Sequence, residues 1–396
     1  MSIVINSDVN SDLVLLAVGD VGPCRDDPTS IFDDVREDMC GVDIGFCQLE
    51  VNLSDRGQRL PQVRHTTKAS PDTADAMREC GFNVVSVAGN HCMDWGRDAF
   101  DDTLAALRNA GIYPVGAGAN IAEARKPVIV DCKGTRVAFL AYCSILPEAF
   151  WADENRAGCA PMRAWTVYEQ IEKDQPGTPP RIHTYANRDD LATMRADIRA
   201  ARESADVVVV SMHWGIHFIP FTIADYQREV AHAAIDEGAD IILGHHAHIL
   251  KAVEVYRGKP IFYSLCNFAL DVPLSPKIMA SKAFREIQSL NPDWNPDPNC
   301  SYTFPPDSQL TVAVRAVIRE RHVLDVSVLP VFISTHSRPS FLVAADPRFH
   351  QVMDYLKRAN AFAGFDVTFE VQEGRLRLVQ EQDRAGSKSE LETANG

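Results

Sequence analysis

The sequence predicts an α/β fold with mixed sheets. Short apolar runs alternate with helical patterns through most of the chain, which is the pattern of strands joined by helices. In three places two apolar runs follow each other too closely for a crossover helix, which signals antiparallel pairs as well. The composition supplies a core: 46% of the 396 residues are hydrophobic and 23% charged, ordinary for a globular protein. At about 150 residues per domain the length suits two or three domains, or one large α/β domain with insertions.

Residues 13–18 form a buried strand and 43–49 a second. Positions 71–80 have helical spacing and stop at Gly81, a residue favoured just past a helix C-terminus. A third strand, 83–88, precedes a helix over 97–110 closed by Gly111. Strands follow at 112–115, 128–131 and 135–142. The helix predicted over 188–204 sets Leu191, Met194, Ile198 and Ala201 on one stripe. The valine run within 206–212 reads as a strand buried on both faces. A helix over 224–237, closed by Gly238, leads to a strand over 240–243. Residues 252–256 and 260–264 flank Arg257-Gly258-Lys259 as a hairpin. Two segments, 145–187 and 272–308, lack periodicity and are long enough to be functional loops. Beyond them lie a hairpin (309–318 and 323–331), a helix over 347–358, and late strands over 365–370 and 375–379.

The net charge of −15 repels a phosphate backbone, so a nucleic-acid partner is not expected. It is compatible with a small anionic substrate held by a bound cation. No apolar run reaches the roughly 18 residues that span a bilayer. The first 12 residues lack the basic and apolar regions of a secretory leader, so a cytoplasmic protein is expected. Ten cysteines without a C-x-x-C pair read as buried thiols.

The residues that carry chemistry fall at strand ends. The first strand runs into Asp20, the second into Glu50, and the third into Gly89-Asn90-His91. The valine strand runs into His213-Trp214-Gly215, and the next into Gly244-His245-His246-Ala247-His248. In open α/β sheets the ligand crevice lies beyond the carboxyl ends of the strands. Five strands thus deliver carboxylate, amide and imidazole groups there, the ligand types of Zn, Mn, Fe, Ni or Co. Three imidazoles in four residues point the same way. In an extended segment His246 and His248 share a side and suit a chelating pair, with His245 as the rival.

In order, the chain carries Gly19-Asp20, Glu50 with Asn52-Leu53, and Ala88-Gly89-Asn90-His91 with Asp94 and Gly96. His213-Trp214-Gly215, the 244–248 run and Tyr263-Ser264-Leu265-Cys266-Asn267-Phe268 follow. Together, over roughly 13–271, these resemble the poly-γ-glutamate capsule biosynthesis (CapA) family, a branch of the calcineurin-like metallophosphoesterase superfamily. The resemblance implies a four-layer α/β/β/α sandwich with a two-metal site, its divalent ions manganese, zinc or iron. By the same resemblance Asp20 is the first metal carboxylate, Glu50 the bridging one, Asn90 the amide ligand and His213 the lone imidazole. His246 and His248, or His245 in place of one, complete the set. His91 corresponds to the general acid, and Asp94 would hold its tautomer. The chain departs from the pattern at Gly22, where the superfamily's first motif has His. It departs again at Gln48-Leu49-Glu50, where the family often reads Asn-Leu-Glu, and at Cys266, where the family has Gly.

The expected organisation is a flexible 1–12, a catalytic domain over 13–271 with its 145–187 insert, and a second insert over 272–308. Strands and a helix over 309–379 form a C-terminal α+β extension that completes the domain, and 380–396 is a disordered tail. The expected function is a cytosolic metal-dependent hydrolase whose metal-activated water cleaves a C–N bond, amide or γ-glutamyl-like, in a small carboxylate-bearing substrate. A phosphoester is the alternative bond. A non-catalytic accessory role in poly-γ-glutamate or capsule synthesis is the alternative class. Arg25, Arg59 or Arg64 would hold the anionic group, with Trp214 and Asn267 as further substrate contacts. The inserts would wall the pocket, and Trp151, Trp165, Trp294 and Tyr302 would give it flat apolar surface.

Overall fold

A computed structural model describes residues 3–5, 12–63 and 66–380. The expected flexible 1–12 and tail 380–396 lie almost wholly outside the described residues. Ile3–Ile5, within the first of these, pairs in parallel with Val130, Asp131 and Cys132.

Two mixed sheets form the frame. The first orders its strands as Ile3–Ile5, Val128–Cys132, Thr135–Cys143, Val207–His213, Ile241–His245, Lys259–Phe262 and Val253–Tyr256. The second runs from Val367–Gln372 through Arg375–Gln380, His322–Ile333, Leu310–Arg319, Leu13–Gly22 and Ile44–Leu49 to Phe82–Ser86 and Tyr113–Val115. Asn267–Leu270 lies parallel to Leu13–Gly22 and brings the C-terminal side of the 244–270 segment into the second sheet. Within each sheet the strands that end at the candidate residues are parallel, so their carboxyl ends share one edge.

The layers follow from side-chain alternation. Val207 and Val209 enter the core shared by the two sheets, whereas Val208 and Val210 face the helices Arg188–Ser204 and Asp225–Asp236. Burial on both faces is why that strand reads as unbroken valine. Phe46 of the second sheet and Phe139 of the first stack at 5.6 Å between them. Helices Thr73–Glu79 and Gly96–Asn109 pack on Phe82–Ser86 and Tyr113–Val115 of the second sheet, completing the four layers. No helix among the described residues is long and apolar enough to cross a membrane. None of the ten cysteines, all of them among the described residues, forms a disulfide.

Several elements differ from the expectation. The last helix runs over Pro347–Ala363, past residue 358, because its stop is the left-handed Gly364 (φ 71°). Segment 145–187 contains a hairpin of Ala164–Glu169 and Arg181–Ala186, in register Trp165 to Tyr185. Both strands are largely exposed, so no burial pattern marks them in the sequence. Segment 272–308 contains the short helices Pro276–Met279 and Lys282–Gln288, capped by the Ser275 and Ser281 side chains. Trp294 anchors a satellite core there with Leu274 and Phe284.

Candidate metal centre

The shared strand edge brings the motif residues together across the two sheets. Asp20 sits at the centre, fully buried. Its Oδ1 is 3.0 Å from His245 Nδ1, and its Oδ2 is 3.3 Å from the His246 backbone N and 3.5 Å from His248 Nδ1. Asn90 Oδ1 is 2.6 Å from His213 Nε2 and 3.2 Å from His246 Nδ1. Those two imidazole nitrogens are 3.2 Å apart. Glu50 lies 3.4 Å from His213 Nδ1 and 3.9 Å from His91 Nε2. One donor atom each from Asp20, Glu50 and His213 falls within 4.8 Å of the other two.

These donors fit divalent ions. Both Glu50 oxygens, His213 Nδ1 and His245 Nε2 are buried with no hydrogen-bond partner. Burial, together with the Asp20 and Asp94 carboxylates, pushes the Glu50 carboxyl well above its usual range. Burial and the surrounding imidazoles hold His213 and His246 well below theirs, which keeps them neutral and able to donate a lone pair. Unsatisfied buried acceptors of this density are rare, because each costs about 1–3 kcal/mol. A cation would supply what they lack, and carboxylate, amide oxygen and imidazole are ligand types suited to Zn, Mn or Fe.

His91 stands beside the cluster, its side chain 24% exposed to a cavity. Its Nδ1 is 2.6 Å from Asp94 Oδ2. Burial lowers the His91 pKa, but the charge and hydrogen bond of Asp94, with Asp20 behind, outweigh it and leave the pKa raised.

The 245–248 run is not extended. The strand ends at His245, and His246 (φ 84°) and His248 (φ 54°) adopt the left-handed backbone. The three imidazoles therefore fan out: His245 and His248 approach Asp20, while His246 approaches Asn90 and His213. Alternation in an extended strand does not describe this turn. Asn267 lies behind His248, with Oδ1 2.7 Å from its Nδ1, and donates through Nδ2 to the Tyr302 hydroxyl. It holds the His248 ring and does not line the cavity. Position 22 is crowded by side chains: a Cβ on Gly22 would lie 2.7 Å from Val51 Cγ1 and 2.8 Å from Leu270 Cδ1, both of which would have to shift.

The expected substrate contacts need correction. Trp214 is fully buried, stacks on Tyr263 and donates to the Tyr263 carbonyl. It faces the helix layer because its neighbour His213 faces the other way. Arg25 is held by a bidentate pair with Asp271 and faces a different cavity. Arg59 donates to the Val63 carbonyl, and Arg64 lies outside the described residues. Of the expected aromatics, Trp294 walls the cavity. Tyr302 is buried beneath it, Trp151 lies under Arg163, and Trp165 is exposed on the hairpin. Sequence reasoning missed His217. Its ring lies 3.9 Å from that of His246 and 5.3 Å from that of His248, and its Nε2 is buried and unpartnered. The signal available was a second imidazole in the loop four residues after His213.

Residues 14–272 match the family described as "Bacterial capsule synthesis protein PGA_cap". The chain is 30% identical to "Probable polyglutamine synthesis accessory protein Rv0574c" of Mycobacterium tuberculosis, over 58% of this chain and 56% of that one. It is 32% identical to "Capsule biosynthesis protein CapA" of Bacillus anthracis, over 51% and 44% of the two chains. It is also 32% identical to "PGA biosynthesis protein CapA" of Bacillus subtilis, over 52% and 47%. The chain thus spans about half the length of these curated relatives. A solved calcineurin-like phosphoesterase, YfkN from Bacillus subtilis, aligns over 88% of this chain and 97% of that one, with a TM-score of 0.37 at 14% identity.

Proposed function

Because this chain belongs to the bacterial capsule synthesis protein PGA_cap family, and because its buried donors fit divalent ions, we propose that it is a metal-dependent hydrolase of small molecules. One observation carries the proposal. Glu50, with both oxygens buried and unpartnered, lies between His213 and a cavity-facing His91 that is paired with Asp94.

Asp20, Glu50, Asn90, His213, His246 and His248 are the proposed ligands, of two ions by the family resemblance, with His245 adjoining through Asp20. Bound divalent ions lower the pKa of a coordinated water to about 7 and polarise the scissile group. The protein's own part is positioning and proton transfer. Asp94 fixes the His91 tautomer with the proton on Nδ1 and favours the imidazolium. His91 Nε2 then faces the cavity and hands a proton to the leaving group, a contribution of about 10²–10⁴ in rate. The favoured bond is C–N, amide or γ-glutamyl-like; a phosphoester is the alternative that the same groups serve. Ten cysteines without a disulfide suit a reducing compartment, and the cytoplasm is the proposed site of action.

A second proposal is an accessory protein without turnover. The missing imidazole at Gly22 and the accessory role in the name of the mycobacterial relative favour it. Metal analysis of the purified protein, with amides and phosphoesters assayed with and without chelator, separates the two. Chelator-sensitive turnover that His91→Ala removes is expected. Metal uptake without turnover, with His91→Ala silent in cells, would establish the accessory role instead.

A further inference from the structure

The cavity beside the metal centre encloses about 680 Å³ and reaches from Glu50, Asn90 and His91 to the 272–308 segment. That volume is in the range of sites for small molecules. Its far wall is apolar, with Phe284 and Ile287 of helix Lys282–Gln288 followed by Leu290, Trp294 and Phe304. Ring contacts tie this wall to the centre. Phe304 lies 4.8 Å from His248, Phe218 lies 6.0 Å from Phe304 and 5.6 Å from Trp294, and Phe284 lies 5.1 Å from Trp294. Trp294 Nε1 donates to the Thr303 carbonyl at 2.7 Å, which satisfies the indole's polar atom and fixes its ring. Among the described lining residues there is no Lys or Arg; the ionisable groups are the carboxyls Glu50, Asp94 and Glu286 and the imidazoles His91, His217 and His248. Against the far wall an anionic side group would lose its water and meet no cationic side chain among the described lining residues.

We propose that this cavity is a specificity pocket for an uncharged aromatic or branched aliphatic group attached next to the scissile bond. The substrate is then a small molecule with an apolar side, which the pocket selects over one that presents a second carboxylate to the far wall. The position of the bond rests on the hydrolase reading; the affinity of the pocket for an apolar group does not.

Calorimetric titration of the manganese-loaded, full-length protein with 3-phenylpropionate and with glutarate separates the two. These acids share one carboxylate and differ in carrying a ring or a second carboxylate. We expect 3-phenylpropionate to bind on the order of tenfold tighter or more. Ile287→Lys should abolish that preference. So should Leu290→Lys, at a site that is 48% exposed and leaves the ammonium access to water. In matched amides and phosphomonoesters, benzyl members should exceed carboxyethyl members in kcat/KM by on the order of tenfold. Tighter glutarate binding, faster carboxyethyl turnover, or a preference unchanged in both lysine variants overturns the pocket assignment and leaves the hydrolase standing. A 3-phenylpropionate preference lost in Leu290→Lys, with no turnover in either series, upholds the pocket and overturns the hydrolase.

Discussion

A carboxylate buried with no hydrogen-bond partner, as Glu50 is, destabilises a fold that has no cation to set against it. At pH 8 the unfolded chain ionises Glu50, and the metal-free folded protein must either protonate it or bury its charge. Glu50→Gln should therefore raise the stability of the metal-free protein by about 1–3 kcal/mol, and in the same variant bound manganese should fall by half or more. Urea melts with and without metal read the two signs separately. His91→Ala should leave the metal content intact and lower kcat by about 10²–10⁴, whereas Asp20→Ala should lower the metal content itself. The ligand candidates were legible because each follows an apolar run and carries a ligating group. Trp214 was misread as a site residue because adjacency in sequence to His213 means opposite faces in a strand. His217 was overlooked because nothing in a loop's composition says that it folds back onto the strand end.

At the scale of elements, the turn after His245 places two donors on left-handed backbone, and the segment after it is pinned by Lys251. That side chain is buried and donates to the carbonyls of Ile219 and Thr222, in the loop that carries His217. Burial lowers its pKa to about 7, against roughly 10.4 when exposed. Between those values the unfolded chain binds more protons, so Lys251 makes stability rise with pH above 7. Lys251→Met should flatten the change in melting temperature between pH 7 and pH 9, which thermal melts of both proteins will show. The long helices and buried strands were legible from period and closing glycine. The hairpin Ala164–Glu169 and Arg181–Ala186 was not, because its exposed strands alternate against nothing. Nor were the two short helices of the 272–308 segment, which rest on serine caps and a single tryptophan and carry no amphipathic stripe.

For the whole molecule, the candidate donors come from both sheets: Asp20 lies within a strand of the second and Glu50 and Asn90 follow strands of it, while His213 and His245 end strands of the first. Ions held there would tie the two halves of the sandwich and add stability as RT ln(1 + [metal]/Kd), about 2.7 kcal/mol at a hundredfold excess over Kd. Chelator should lower the melting temperature of the wild type and leave that of Asp20→Ala unchanged, a difference that calorimetry resolves. Asn360 makes a second tie, accepting from Val253 N in the first sheet and donating to the Val367 carbonyl in the second. The layering was legible from strands alternating with helices; the joining of the 244–270 segment to both sheets was not, since a four-residue strand over Asn267–Leu270 leaves little trace in sequence. That strand also governs what evolution or design can do at Gly22. Leu270 is its register partner, so a histidine installed at 22 would have to displace the side chains of Val51 and Leu270, whose methyl groups fill the space beside Gly22. An added imidazole there would therefore have to come with smaller side chains at positions 51 and 270.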